Sequence, residues 1–260
     1  MKITLAQDDQ NIVDSIETLQ KRMVYFCDYH TPTQKPLMRF INLLFPHGKP
    51  YIFGGVIRDI AIHGLKNFKS DIDIVYTGII QERELQDIAI KNKFGGHRVT
   101  FNRWIIDIWP LKETWAFKNG AIAFENKESL LKTTQTNYEA IMYDIKNKKI
   151  ICAKNYIDDI RNGYLTVINP TSPSSLKLLK KILTSIYKNN VKYCDQTLSA
   201  LVNQVMNNYS QPEILNELQK GGAPYSFSKI IIERAIEFEN DLFPFPIYDH
   251  KPAQYDLPLA

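Results

Sequence analysis

The chain has 260 residues, 44% of them apolar and 23% charged, with a formal net charge of +4 and a pI near 8.7. This is ordinary globular usage, enough for one large domain or two modest ones, and too mildly basic for charge alone to name a nucleic-acid partner. Three widely spaced cysteines, an odd number without a C-x-x-C (Cys27, Cys152, Cys194), suggest neither a disulfide scaffold nor a zinc cluster, and with no run long enough to span a membrane and no signal-peptide core after Met1 a cytoplasmic location is expected.

In chain order, Ile12, Ile16, Leu19, Met23 and Phe26 recur at helical spacing between Asn11 and Cys27, and Pro36 opens a second apolar helix through Phe45. The two form an N-terminal helical layer over residues 1–49. Pro46-His-Gly-Lys-Pro50 is a turn into a first strand, Tyr51-Ile-Phe53, which runs into Gly54-Gly55 and a helix. Ser70-Asp-Ile-Asp-Ile-Val-Tyr76 has strand character, Gln81 to Asn92 reads as a helix, and Phe94-Gly-Gly-His97 turns into an antiparallel pair, Arg98 to Phe101 and Trp104 to Trp109, around Asn102-Arg103. Further on, Leu176, Leu179, Ile182, Leu183 and Ile186 mark a helix with Ser174 or Ser175 as N-cap. The proline-rich stretch from Phe243 to Pro252 reads as an extended arm that packs across a surface or docks a partner.

The chemistry concentrates in the first strand–helix–strand unit. Gly54 and Gly55 carry no Cβ to keep a phosphate from the backbone N–H groups, and the helix after them points its positive end at the same place. Asp71 and Asp73, two apart in a strand, leave the same face and can share a cation. Either feature alone also occurs in ordinary turns and strand ends; their order, with Arg58-Asp59 between them, is what suggests a nucleoside triphosphate held against metal ions. Asp107, alone among the apolar residues of Trp104-Ile-Ile-Asp-Ile-Trp109, needs a cation or a donor unless it lies on a solvent face.

This series, Gly54, Gly55, Arg58, Asp59, Gly64, Asp71 and Asp73, resembles the nucleotidyltransferase head of the DNA polymerase β superfamily, most closely the bacterial poly(A) polymerase and tRNA CCA-adding branch. The resemblance implies an α+β fold with a mixed-sheet head over residues 50–169 and a small helical, neck-like domain over 170–260. It implies an enzyme that moves an NMP from an NTP to an acceptor hydroxyl and releases pyrophosphate, with Asp71, Asp73 and Asp107 as catalytic acids and ligands of two Mg²⁺ ions, for which Mn²⁺ can substitute. Gly54, Gly55 and Arg58 would then bind the nucleotide. His63 could approach a phosphate or serve only at the helix end.

Beyond the first strands the pattern thins. Where the family has Arg-Arg-Asp before an Ala-Leu-x-Tyr-Asp strand, this chain has Thr133, Thr134 and Gln135, although Ala140, Tyr143 and Asp144 fit. Where the neck helix opens with a base-reading Glu-Asp-x-x-Arg, Ser174 and Lys177 stand instead, and fewer residues follow than the family's tRNA-gripping body uses. The expected activity is therefore transfer to RNA, at a tRNA-like 3′ end, without standard CCA addition. The alternatives are transfer to a protein or small molecule, and a non-catalytic nucleotide-binding module. Lys146, Lys148, Lys149, Lys177, Lys180, Lys181, Lys188 and Lys192 either track a phosphate backbone or form a solvated surface.

Overall fold

The computed structural model describes residues 11–28, 34–66, 70–92, 94–189 and 191–220; the proline-rich Phe243 to Pro252 stretch lies outside them. Within these residues the chain divides into two compact units, one of residues 11–134 with 138–157 and the other of residues 135–137 with 158–220. The N-terminal helices share the first unit with the sheet.

Helix α1 is Ile16–Asp28 and buries Leu19, Met23, Phe26 and Cys27, a single stripe at helical spacing. It starts later than the apolar pattern suggests because the Ser15 hydroxyl accepts from the Thr18 N–H at 3.2 Å, the bond of an N-cap. Helix α2, Gln34–Leu44, buries Leu37, Met38, Phe40, Ile41 and Leu44 and admits Pro36 in its first turn, where no intrahelical N–H is lost. Strand β1 (Lys49–Phe53) leads directly into α3 (Gly55–His63), and β2 (Ile72–Thr77) follows.

The segment expected as a helix from Gln81 to Asn92 is instead a short 3-10 turn, Glu82–Leu85, and an edge strand β3, Ala89–Lys91. Leu85, Ile88 and Ala89 have helical spacing, but the Asn92 side-chain oxygen accepts from the N–H groups of Phe94 and Gly96 at 2.9 and 3.0 Å. That turn folds β3 back onto β4 (His97–Phe101), so ladder bonds replace helical ones. Strand β5 (Trp104–Pro110) completes the hairpin through Asn102 at φ 53°. After a short helix α4 (Trp115–Lys118) come β6 (Ile141–Asp144) and β7 (Lys149–Cys152).

The seven strands form one mixed sheet in the order β3-β4-β5-β2-β1-β6-β7, with β2 and β5 parallel and the other pairs antiparallel. Alternation gives the sheet two different faces. Ile52, Ile72, Ile74, Ile106 and Ile108 are fully buried, and α1 and α2 reach their face through Phe26 edge-on to Trp104 at 6.1 Å and Phe40 stacked on Phe101 at 4.8 Å. The opposite face carries Asp73 and Asp107, in register with each other. The apolar face anchors the sheet to its helices; the acidic face is left for chemistry.

The second unit holds α5 (Tyr156–Asn162), most of which belongs to it, a parallel pair of two-residue strands β8 (Tyr164–Leu165) and β9 (Tyr193–Cys194), and helices α6 (Ser175–Lys188), α7 (Gln196–Asn207) and α8 (Gln211–Lys220). Helix α6 buries Leu178, Leu179, Ile182, Leu183 and Ile186, so its stripe runs through Leu178 where the spacing pointed to Leu176. Ser174 caps it by accepting from the Lys177 N–H at 3.4 Å, and Asp195 caps α7 by accepting from the Leu198 N–H at 2.7 Å.

Candidate active site

The sheet register sets the expected acids near one another. Asp73 pairs with Asp107 across β2 and β5, Asp71 lies two residues back along the chain, and Arg98 pairs with Asp107 across β4 and β5. The Arg98 guanidinium donates from Nε to Asp107 Oδ1 at 2.8 Å and from Nη2 to Asp107 Oδ2 at 2.5 Å, the two parallel bonds of a fork. The same Nη2 lies 3.5 Å from Asp71 Oδ2. The bonds to Asp107, outweighing burial, and the charges of Asp107, Asp71 and Asp73 raise the guanidinium pKa above its ordinary value. Burial raises the Asp71 carboxyl above the usual range; Arg98 opposes the shift and the charge of Asp107 adds to it. All three expected acids thus act on one cation.

Among the described residues no three His, Cys, Asp or Glu side chains form a ready metal cage as they stand. The donor set nevertheless fits a hard divalent ion, since Asp107 on β5, Asp73 on β2 and Asp71 just before β2 all bear on one positive group and offer only oxygen. The guanidinium is the stand-in cation.

At the other end of the motif, Gly54 adopts φ 66° and ψ −118°, a conformation that L side chains rarely take. Its N–H donates to Ile141 O at 2.9 Å, and its carbonyl accepts from Ile57 and Arg58 at 3.1 and 3.2 Å to start α3. The Gly54 N–H expected for phosphate is therefore spent on β6, and the N–H groups of Gly55 and Val56 are those that precede the first helical bond. A Cβ on Gly55 would lie 3.2 Å from Ser70 Oγ and 3.3 Å from Ser70 Cβ, so glycine here also serves the close approach of the chain entering β2.

Arg58, the residue expected to contact the triphosphate, is held by partners within the chain. Its guanidinium donates to Asp59 Oδ1 from Nε (3.0 Å) and Nη2 (2.7 Å), to Ser70 Oγ from Nη2 (3.2 Å) and to Glu139 Oε1 from Nη1 (3.1 Å). Burial disfavours the charge, but Asp59 and Glu139 outweigh it and raise the pKa. Asp59 Oδ2 in turn accepts from the Ser70 N–H at 3.2 Å and hydroxyl at 2.7 Å. The cluster binds α3 to the residue immediately before Asp71 and to the start of β6. His63 sits in the last turn of α3, at the end opposite the glycines.

The residues that stand in for the family's arginines and acid are used structurally. Thr133 and Thr134 donate to Leu130 O and Leu131 O at 2.7 and 2.9 Å, and Gln135 Oε1 accepts from Lys181 at 2.9 Å. Lys180 pairs with Glu217 at 2.8 Å. Sequence reasoning passed over Arg98, Glu139 and Ser70. The signal for Arg98 was present: a hairpin centred on Asn102-Arg103 sets residue 98 opposite residue 107.

No protein-family profile and no curated protein matches the sequence. Solved structures do match in fold. The Thermotoga maritima CCA-adding enzyme complexed with tRNA aligns at a TM-score of 0.58 and 19% identity over 86% of this chain and 53% of its own. A CCA-adding enzyme complexed with CTP aligns at 0.57 and 20% identity, over 85% and 53%. A tRNA nucleotidyltransferase complexed with a primer tRNA and an incoming ATP analog aligns at 0.55 and 16% identity, over 74% and 58%. The chain spans a little over half the length of these structures. Over the part that aligns, its fold is the one these CCA-adding enzymes and tRNA nucleotidyltransferases have.

Proposed function

We propose that the chain is a nucleotidyltransferase that moves an NMP from an NTP to an acceptor hydroxyl at an RNA 3′ end of tRNA-like form, outside standard CCA addition. The observation that carries this reading is the gathering of Asp71, Asp73 and Asp107 around one positive group, on neighbouring strands of a nucleotidyltransferase fold. The bound nucleotides and tRNA of the matching structures support the choice of NTP and RNA.

In this reading Asp71, Asp73 and Asp107 hold Mg²⁺, which when bound supplies charge neutralisation for the triphosphate and a lowered pKa for the attacking hydroxyl. Gly54 starts α3 without a side chain, and Gly55 with Val56 presents N–H groups toward the triphosphate. Arg58 acts as a positioning residue: with Asp59, Ser70 and Glu139 it fixes the glycine end of α3 against the start of β2, and so the phosphate-binding end against the acids. At α6, Ser174 is occupied as a cap and Lys177 is an exposed ammonium, a poor substitute for a carboxylate and guanidinium that read base edges.

The test is incubation of the full chain with each labelled NTP, Mg²⁺ and total cellular RNA, beside an Asp73→Ala control. Label entering RNA and lost with Asp73→Ala is the expected result. Label entering protein or a small molecule would replace the acceptor, and NTP binding without transfer under any condition would leave a non-catalytic module.

A further inference from the structure

Arg98, Asp107 and Asp73 form a row across β4, β5 and β2, each in register with the next. The row places a guanidinium where the carboxylates would share a divalent ion. Among the described residues its hydrogen bonds and ion pairs go to Asp107 and Asp71. The Arg98 side chain is 51% exposed while that of Asp107 is 16% exposed, so the positive group lies on the open side and the acid beneath it. An exposed arginine is held weakly by its packing, and what holds this one is the charge of the acids.

The charges of Asp107, Asp71 and Asp73 all bear on this guanidinium. A divalent ion carries a second positive charge and takes the same oxygen lone pairs that the fork on Asp107 now uses. We propose that Arg98 is an internal counter-ion of the acid cluster which a divalent ion has to displace, so that this residue sets the metal affinity of the site. The inference rests on the assignment of Asp71, Asp73 and Asp107 as metal-holding residues under the proposed function. It assigns Arg98 a role of its own: the acids stay paired without metal, and the site fills only where the metal outcompetes the fork.

The experiment is a titration of the full chain with Mn²⁺ alone, without nucleotide or acceptor, reading free Mn²⁺ by electron paramagnetic resonance. Wild type, Arg98→Gln, Arg98→Lys and Asp73→Asn are compared, with circular dichroism confirming that each is folded. Arg98→Gln should bind Mn²⁺ roughly tenfold more tightly than wild type, the effect of removing one charged fork. Arg98→Lys, which keeps the charge but not the second parallel bond, should fall between them, and it carries the comparison alone if Arg98→Gln does not fold. Asp73→Asn should lose the site. Equal or weaker Mn²⁺ binding in the Arg98 variants, with binding still lost in Asp73→Asn, would overturn the counter-ion role and leave the metal assignment standing. Absence of Asp73-dependent binding in every variant would overturn both.

Discussion

Asp73 stands directly beside Asp107 across the parallel pairing of β2 with β5. Because side chains alternate along a strand, a slip of one residue in that pairing would turn Asp107 onto the face of Ile106 and Ile108 and bury it among apolar groups. The register that keeps the isoleucines inside is therefore also the register that brings the acids together.

Transfer should depend on both residues of this pair. Asp73→Ala and Asp107→Ala should each lower the rate of NMP transfer by roughly 10³-fold or more while NTP affinity measured without metal changes little. Single-turnover assays with a labelled NTP give the first quantity and equilibrium dialysis the second. Near-normal turnover in Asp73→Ala would remove the acid from the mechanism.

The Arg58 cluster should announce itself in stability. Asp59→Ala leaves a buried guanidinium without its main partner and should cost about 3–5 kcal/mol, whereas Ser70→Ala removes the hydroxyl bond to Asp59 and the bond from Arg58 but keeps the backbone N–H bond to Asp59, for about 1–2 kcal/mol. Urea unfolding measures both. A purely surface role for Arg58 predicts changes within about 0.5 kcal/mol in each.

Gly55 and Ser70 should be coupled. Gly55→Ala puts a methyl group 3.2 Å from Ser70 Oγ, and should weaken NTP binding and lower stability by displacing the chain that enters β2. In a Ser70→Gly background the same change should cost measurably less, giving a double-mutant coupling on the order of 0.5–3 kcal/mol. Additive effects would show that Ser70 yields without consequence.

Alkaline pH should destabilise the fold. Burial raises the Cys152 thiol from 9.0 to about 12, and burial likewise raises Cys27 and Cys194, each pushed further by the adjacent Asp28 and Asp195. Between the ordinary thiol value and these raised ones the folded chain holds more protons than the unfolded one. The stability these groups contribute is therefore complete below about pH 9 and is lost progressively as the pH climbs. Denaturant midpoints across pH 8 to 11 would show the decline, and thiol reagents at pH 7.5 should label the buried Cys27 and Cys194 only as the protein unfolds, with the half-buried Cys152 reacting sooner. Rapid labelling of Cys27 or Cys194 in the native protein would contradict their burial.

Product sequences decide the base-reading question. From a tRNA lacking its 3′ end and all four NTPs, the chain should add one preferred nucleotide or several without order, because Ser174 and Lys177 cannot leave a wrong base's donors and acceptors unpaired. Faithful completion to CCA, seen by sequencing, would restore template-like base choice.

The parts of the site that were legible in the sequence are those where local rules and tertiary use agree. Gly54-Gly55 before a helix, Asp71 and Asp73 in a strand and Asp107 in an apolar run each stand out against their neighbours. Arg98 and Glu139 do not stand out, since an arginine on a strand and a glutamate before one are ordinary until the hairpin register and the β1–β6 pairing place them beside Asp107 and Arg58. Arg58 illustrates a second limit: a guanidinium next to a phosphate-type turn suggests an anion, but only the structure shows that Asp59 and Glu139 already supply one. The Gln81 to Asn92 segment failed because the helical period there lost to a turn built on a single asparagine.

The place of β1 in the middle of the sheet has a consequence for how the chain is made. One side of β1 pairs with β2, which follows it closely, but the other side waits for β6, whose Tyr143 joins Ile52 only after some ninety further residues have been synthesised. Until then the Tyr51–Phe53 backbone is an open, apolar ladder edge at the heart of the future core. A nascent or truncated chain that stops before Ile141 should associate through that edge, although the acids are all present by residue 107.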